Sequence, residues 1–130
     1  MEVNFLDIQE IIERFSLISN ISLKESVKWE PILCDVIAEI KSRLRENIDV
    51  EMHGRRLNTA AAALSFYKFS LYRASQDSTT SFSAGGIRIH EDSRRNIQSA
   101  YSIWNEAKAL ISDLIRDDDF CFGQVISHAR

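Results

Sequence analysis

Histidine is the first residue type to test for chemistry, because its imidazole ring serves as a general base and as a metal ligand. The chain has three, His53, His90 and His128, and they stand far apart in the sequence. No cysteine or carboxylate accompanies them at a metal-ligand spacing such as His-x-x-x-His. We interpret all three as surface or hydrogen-bonded side chains, and we predict neither a metal site nor a catalytic histidine.

Asp117, Asp118 and Asp119 form a run of potential oxygen ligands. A calcium loop needs ligands at alternating positions and a glycine at its sharp turn, and this run lacks that pattern. We interpret it as a solvated run that pairs with a basic neighbour.

Motifs for phosphate binding and nucleophilic catalysis are also missing. Gly85 and Gly86 are not followed by Lys-Ser or Lys-Thr, so they do not fit a phosphate-binding loop. Cys34 and Cys121 carry no local signature of a catalytic thiol, and there is no Gly-x-Ser-x-Gly sequence. We interpret the cysteines as small buried hydrophobic residues. The sequence therefore predicts a protein that is not an enzyme and has no cofactor and no small-molecule substrate.

Two arginine pairs are the candidates for contact with DNA or an acidic partner: Arg55 with Arg56, and Arg94 with Arg95. The net charge is −3, with 16 basic and 19 acidic residues well mixed along the chain. DNA-binding proteins usually carry a clustered basic face, which this balance does not indicate. We interpret the arginines as solvated helix residues and keep DNA contact as the weaker alternative.

Composition predicts one domain over residues 1–130. A chain of 130 residues that is 45% hydrophobic can bury a core without cross-links. Its acidic start lacks the regions of a signal peptide, and no stretch approaches the roughly 20 apolar residues of a membrane span. We expect an intracellular, reducing compartment and no membrane contact.

Four helices position these residues, at about 5–19, 26–46, 54–75 and 93–116, and they predict an all-α, four-helix bundle-like fold. Asn4 can cap the first helix, and Ser22 or Ser26 the second. Pro31 lies inside the second helix, where it predicts either a short turn followed by a new helix or a kink. The third helix contains four consecutive alanines, Ala60 to Ala63, and aromatic residues on more than one face, so we expect it to be the central helix.

A short β-hairpin at about 80–90 is predicted between the third and fourth helices, with a flexible loop as the alternative. Gly85-Gly86 between two alternating runs is a hairpin signal, and Phe82, Ile87 and Ile89 would share one face with Ala84. A hairpin this short needs a packing partner. The tail at 118–130 also carries two aromatic residues, Phe120 and Phe122, that need a partner surface.

Two segments carry a resemblance to a known family. The alanine-rich run from Leu57 to Phe69 ends in aromatics, and Ser-Phe-Ser-Ala-Gly-Gly-Ile-Arg-Ile follows from Ser81. This order resembles the small head–tail connector (neck or adaptor) proteins of tailed phages and prophages. The Val27-x-Trp29-x-Pro31 stretch is similar to their second helix, so the resemblance covers roughly residues 22 to 115.

The resemblance implies a helical subunit of a homo-oligomeric ring between the portal and the tail of a phage. Its partners would be other copies of itself and portal and tail proteins, with DNA only as passing cargo. It would reside in the bacterial cytoplasm during assembly and then in the virion. A ring needs a heterologous interface that closes by rotation. We predict Phe82, Ile87 and Ile89 as subunit contacts and Phe120 and Phe122 as a docking segment, because these short elements carry spare apolar surface.

Three other functions stay open at this stage. One is a helical protein-binding or DNA-binding regulatory module, which would need a clustered basic face. A second is a small enzyme whose catalytic residues are dispersed in the sequence. A third is a dimeric helical bundle.

Overall fold

The computed structural model describes residues 6–84 and 87–116, with side chains described at 6–76 and 94–116. This part of the chain forms five helices: α1 Ile8–Ser19, α2 Leu23–Val27, α3 Glu30–Arg43, α4 Gly54–Ala84 and α5 Ile87–Leu110. Within the described residues the only β-structure is an isolated antiparallel bridge between Leu44 and Ile115. The all-α, bundle-like prediction is confirmed at this level.

Helix α1 begins at Ile8, three residues later than predicted, because Asp7 caps it. The Asp7 side chain accepts a hydrogen bond from the Gln9 backbone N–H at 3.3 Å. The suggested cap, Asn4, lies outside the described residues. Three members of the predicted apolar stripe, Ile11, Ile12 and Phe15, are buried. The helix ends at Asn20, whose φ of 61° is a left-handed value that asparagine tolerates.

The predicted second helix at 26–46 divides in two at Pro31. Ser22 caps α2 by accepting a hydrogen bond from the Glu25 N–H at 3.0 Å. Pro31 then lies in the first turn of α3, where its missing N–H costs nothing because first-turn donors have no partner within the helix. This is the first of the two outcomes expected for Pro31. Leu33, Val36 and Ile40 of α3 face the core.

Helix α4 is the central helix, as predicted. Residues 57–65 are all buried except Thr59, so this segment is covered on every side. The four alanines are at most 1% exposed, which is consistent with close approach by neighbouring helices where there is no side-chain bulk. Helices α1, α3 and α5 all pack against α4.

The predicted hairpin at 80–90 is wrong. Helix α4 continues to Ala84, nine residues past Ser75, and α5 begins at Ile87, so both proposed hairpin arms are helical. Gly85 and Gly86, outside the described residues, fall between two helices, a position where glycine is as common as in a hairpin turn. The turn-like residues at 76–80 have only weak helix-breaking preferences, which packing of α4 against α5 overrides.

Helix α5 ends at Leu110, six residues before the predicted end at Arg116. The chain then turns and joins the end of α3: Leu114 O accepts from Arg45 N–H, and Arg116 N–H donates to Arg43 O, both at 2.9 Å. The last turn of α5 carries Lys108, whose positive charge suits the negative end of the helix dipole.

A buried amide joins α1 to α4. Asn58 is 1% exposed; its Oδ1 accepts from the Asp7 N–H at 3.1 Å and its Nδ2 donates to Glu10 at 3.0 Å. Arg14 donates to the same Glu10 carboxylate at 2.9 Å and to Thr59 at 3.3 Å. Both polar ends of the amide are thus satisfied, as buried polar groups require.

Candidate functional site

Helices α4 and α5 form an antiparallel pair. Arg56, near the start of α4, donates to Leu110 O at the end of α5 at 2.5 Å. Farther along α4, the Tyr67 ring lies 5.5 Å from the Tyr101 ring. Residue numbers therefore rise along one helix as they fall along the other.

The pair continues beyond the body formed with α1–α3. On α4 the side chains are largely buried from Leu57 to Ser70 and mostly exposed at 71–76. On α5 the described side chains at 94–99 are exposed except for the half-buried Ile97. We call residues 71–84 of α4 and 87–99 of α5 the arm. The two helical segments of the arm have 14 and 13 residues, so each is about 20 Å long.

Aromatic rings form the base of the arm. Trp29 lies edge-to-face against Phe69, with ring centroids 4.7 Å apart, and against Tyr72 at 5.4 Å. Phe69 also meets Phe15 edge-to-face at 5.3 Å and stacks near Phe66 at 6.5 Å. Such pairs add about 0.5–1.5 kcal/mol each beyond their burial, so the helix that forms the arm is firmly anchored where it leaves the body.

A cavity of about 200 Å³ lies at this base, between the end of α1 and the two helices of the arm. We call it the arm cavity, and its lining residues are Ser19, Phe66, Phe69, Ser70, Arg73, Ala74 and Asn96. The Arg73 guanidinium lies 5.3 Å from the centre of the Phe69 ring, within range of a cation–π interaction. Among the residues whose side chains are described, the cavity therefore combines an aromatic wall with a cation and no carboxylate.

At the opposite end of the α4–α5 pair, a salt bridge joins the start of α4 to the residues that follow α5. Arg56 donates to Asp113 at 3.1 Å and lies 2.6 Å from Nδ1 of His53, which must accept because a guanidinium only donates. The hydrogen bond from Arg56 lowers the pKa of the Asp113 carboxyl. Midway along the pair, burial and the neighbouring Tyr101 raise the pKa of Tyr67.

The structure leaves most of the predicted contact residues without a side-chain description. Phe82, Ile87 and Ile89 lie on the helical arm, but their side chains are outside the described set. Phe120 and Phe122 lie outside the described residues altogether. Their roles as subunit contacts and docking segment stay predictions.

The two arginine pairs do not come together. Arg55 and Arg56 lie at the start of α4, whereas Arg94 and Arg95 lie next to Asn96 of the arm cavity. About 26 Å of helix separates Arg56 from the cavity residue Arg73. Arg55, Arg94 and Arg95 are exposed, and Arg56 is held by Asp113. The four arginines thus do not form a single basic face.

No metal-binding group is found among the residues whose side chains are described. At 6–76 and 94–116, no three His, Cys, Asp or Glu side chains lie close enough to hold an ion together. Cys34 is exposed on α3, so its interpretation as a buried hydrophobic residue is wrong: it lies beside the buried stripe of Leu33, Val36 and Ile40 rather than in it. Cys121 is outside the described part.

Arg73 and Asn96 are the candidate site residues that the sequence reading missed. No motif distinguishes Arg73 from the other charged residues of the third helix. One signal was present: Phe69 and Arg73 are four residues apart, so they share a helix face. The helix that contains Asn96 was predicted, but its placement beside Arg73 was not, because a hairpin was predicted between the two helices.

Among the helical segments described, none is both long and apolar enough to cross a membrane. Comparison with family models, curated proteins and solved structures yields no match to this chain.

Proposed function

We propose that this chain is a structural subunit of a phage or prophage head–tail connector, a ring of identical copies between portal and tail. The resemblance of residues 22–115 to connector proteins suggests the family. The observation that carries the proposal is the arm, a helical pair that leaves the body and carries apolar residues in its sequence.

The described side chains at the base of the arm support an assembly role. Tyr72 and Tyr101 are 47% and 48% exposed, and Leu71 is 36% exposed. Tyrosine is enriched at the centre of protein interfaces because it buries a large ring at low entropic cost. A surface of this kind on an extended element suits contact with another protein better than contact with a small molecule.

The arm would provide one side of the heterologous contact that a ring requires. Phe82, Ile87 and Ile89 are the proposed contact residues, now placed on helices rather than on a hairpin. The ring would form in the bacterial cytoplasm and remain in the virion, where portal and tail proteins would bind it and DNA would pass through it.

Substituting both Phe82 and Ile89 with Asp tests this function. Burying two unpaired carboxylates in an interface is costly, so we expect the double variant to lose the higher oligomers of the wild type while keeping its helicity. Light scattering measures the mass, and circular dichroism at 222 nm measures helix content.

Asn105→Asp is the matched control, because Asn105 is an exposed polar residue on α5 outside the arm. We expect it to assemble like the wild type. An F82D/I89D chain that assembles as well as the control would contradict the proposed contacts.

A further inference from the structure

The arm cavity is too small for a typical small-molecule ligand but large enough for one or two side chains. Its volume is about 200 Å³, whereas drug-sized ligands occupy sites of roughly 300–1,000 Å³. The described part of its lining joins two phenylalanine rings to an arginine and to three uncharged polar residues, Ser19, Ser70 and Asn96. A peptide segment with an acidic and an aromatic side chain matches this lining.

Arg73 provides the cation. It is exposed, it lies against Phe69, and it forms no salt bridge with any carboxylate in the side-chain ranges 6–76 and 94–116. A guanidinium that stacks on an aromatic ring can still donate hydrogen bonds from its edge, a geometry suited to a carboxylate. Residues 71–84 and 87–99 together carry four arginines, Arg73, Arg88, Arg94 and Arg95, against three carboxylates, Asp77, Glu91 and Asp92. The excess of positive charge is therefore one.

The chain itself contains a segment of the matching chemistry. Asp117, Asp118 and Asp119 are followed directly by Phe120-Cys-Phe122. We propose that the arm cavity of one copy binds residues 117–122 of a second copy. Arg73 would bind a carboxylate of the acidic run, and the phenylalanine wall would receive Phe120.

Chain length argues for a second copy rather than the same one. Arg116 N–H is bonded to Arg43 O, at the end of the molecule where Arg56 meets Asp113. Arg73 is 17 residues beyond Arg56 on α4, about 26 Å away along the helix. Asp119 is three residues beyond Arg116 and so reaches at most about 11 Å from it. The acidic run falls short of the cavity of its own chain.

This inference rests on the proposed function, since it names one contact through which copies would associate. A segment that leaves one end of a subunit and binds the other end of the next makes a head-to-tail interface. Such an interface closes into a ring when its rotation permits.

A labelled peptide of residues 115–124, with Cys121 replaced by Ser, tests the contact apart from ring formation. We expect it to bind the full wild-type chain in a fluorescence anisotropy titration at chain concentrations where the chain is monomeric. Arg73→Glu should weaken binding at least tenfold, the loss typical of replacing a charge-assisted contact with repulsion, roughly 1.4 kcal/mol. A peptide with Lys in place of the three Asp should regain affinity for the R73E chain.

Arg55→Glu is the matched control, because it reverses an exposed arginine at the far end of the same helix. It should bind the wild-type peptide unchanged. If R73E does not fold, Arg73→Gln replaces it, and the same direction of change is expected.

Two results would overturn the inference. One is that the peptide binds to none of the chains, or binds the wild type and R73E with equal affinity. The other is binding only to a chain whose own Asp117, Asp118 and Asp119 are replaced by Lys, which would mean that each copy fills its own cavity. Light scattering of the same samples tests the proposed function separately from this contact. A chain that forms rings but does not bind the peptide would support the proposed function and contradict the contact between the cavity and residues 117–122.

Discussion

Asn58 shows how a single polar residue fixes the position of two helices. Its amide lies in the core, accepts from the Asp7 backbone and donates to Glu10, so it holds the start of α1 against α4. In the sequence it stands before the alanine run that predicts a close-packed helix. A buried amide costs free energy unless both its ends are bonded, and here both are.

Asn58→Ala should lower the free energy of unfolding by about 1–3 kcal/mol, because it leaves the Asp7 N–H without its acceptor and opens a small void. Urea denaturation followed by circular dichroism measures the change. Asn105→Ala is the control: Asn105 is exposed on α5, and its loss should change stability by less than about 0.5 kcal/mol. Equal losses in the two variants would show that the hydrogen bonds of Asn58 do not stabilise the fold.

At the residue scale, the sequence predicts which side chains are buried better than it predicts which side chains contact each other. Apolar spacing identified Ile11, Ile12 and Phe15 as core residues because burial follows the helical period. It could not identify Asp113 as the partner of Arg56, because that pair depends on how segments far apart in sequence pack. The contact between Arg73 and Phe69 is local, and their spacing of four residues was its signal. Cys34 was misplaced for a similar reason: cysteine is usually buried, but here its helix face points to solvent.

At the scale of elements, residues 76–90 show that local sequence preferences can predict the wrong secondary structure. The serines, threonines and paired glycines favour turns, and the alternating apolar residues favour strands. Both preferences are weaker than the stabilisation that two long helices gain by packing against each other. Helix α4 therefore continues to Ala84, and α5 begins at Ile87. At Pro31, by contrast, the local preference predicted the structure correctly, because the steric effect of proline cannot be removed by packing. A new helix begins with Pro31 in its first turn, which is one of the two outcomes expected.

Thr79→Pro tests whether the arm is helical. Proline inside a helix costs about 3 kcal/mol, so we expect reduced ellipticity at 222 nm as the arm unwinds near residue 79. The body should stay folded, since the buried residues 57–70 are unchanged. Thr79→Ala should keep the full signal. A T79P chain with wild-type ellipticity would instead fit a turn at this position.

At the scale of the whole molecule, the two ends of the α4–α5 pair differ in chemistry. One end is closed by Arg56 and Asp113, and the described chain finishes beside it. The other carries the arm cavity with Arg73, at the base of an arm whose helices are about 20 Å long. This polarity suits head-to-tail association, in which unlike surfaces of identical copies meet.

Amide hydrogen exchange, compared at low and high protein concentration, tests association through the arm most directly. Residues in a formed interface exchange more slowly because local opening is suppressed. As the chain assembles, we expect peptides from residues 71–99 to gain protection while peptides from the core segment 57–70 stay unchanged. A chain that assembles with its new protection confined to α1–α3, or that gains none in the arm at any concentration, would contradict this role for the arm.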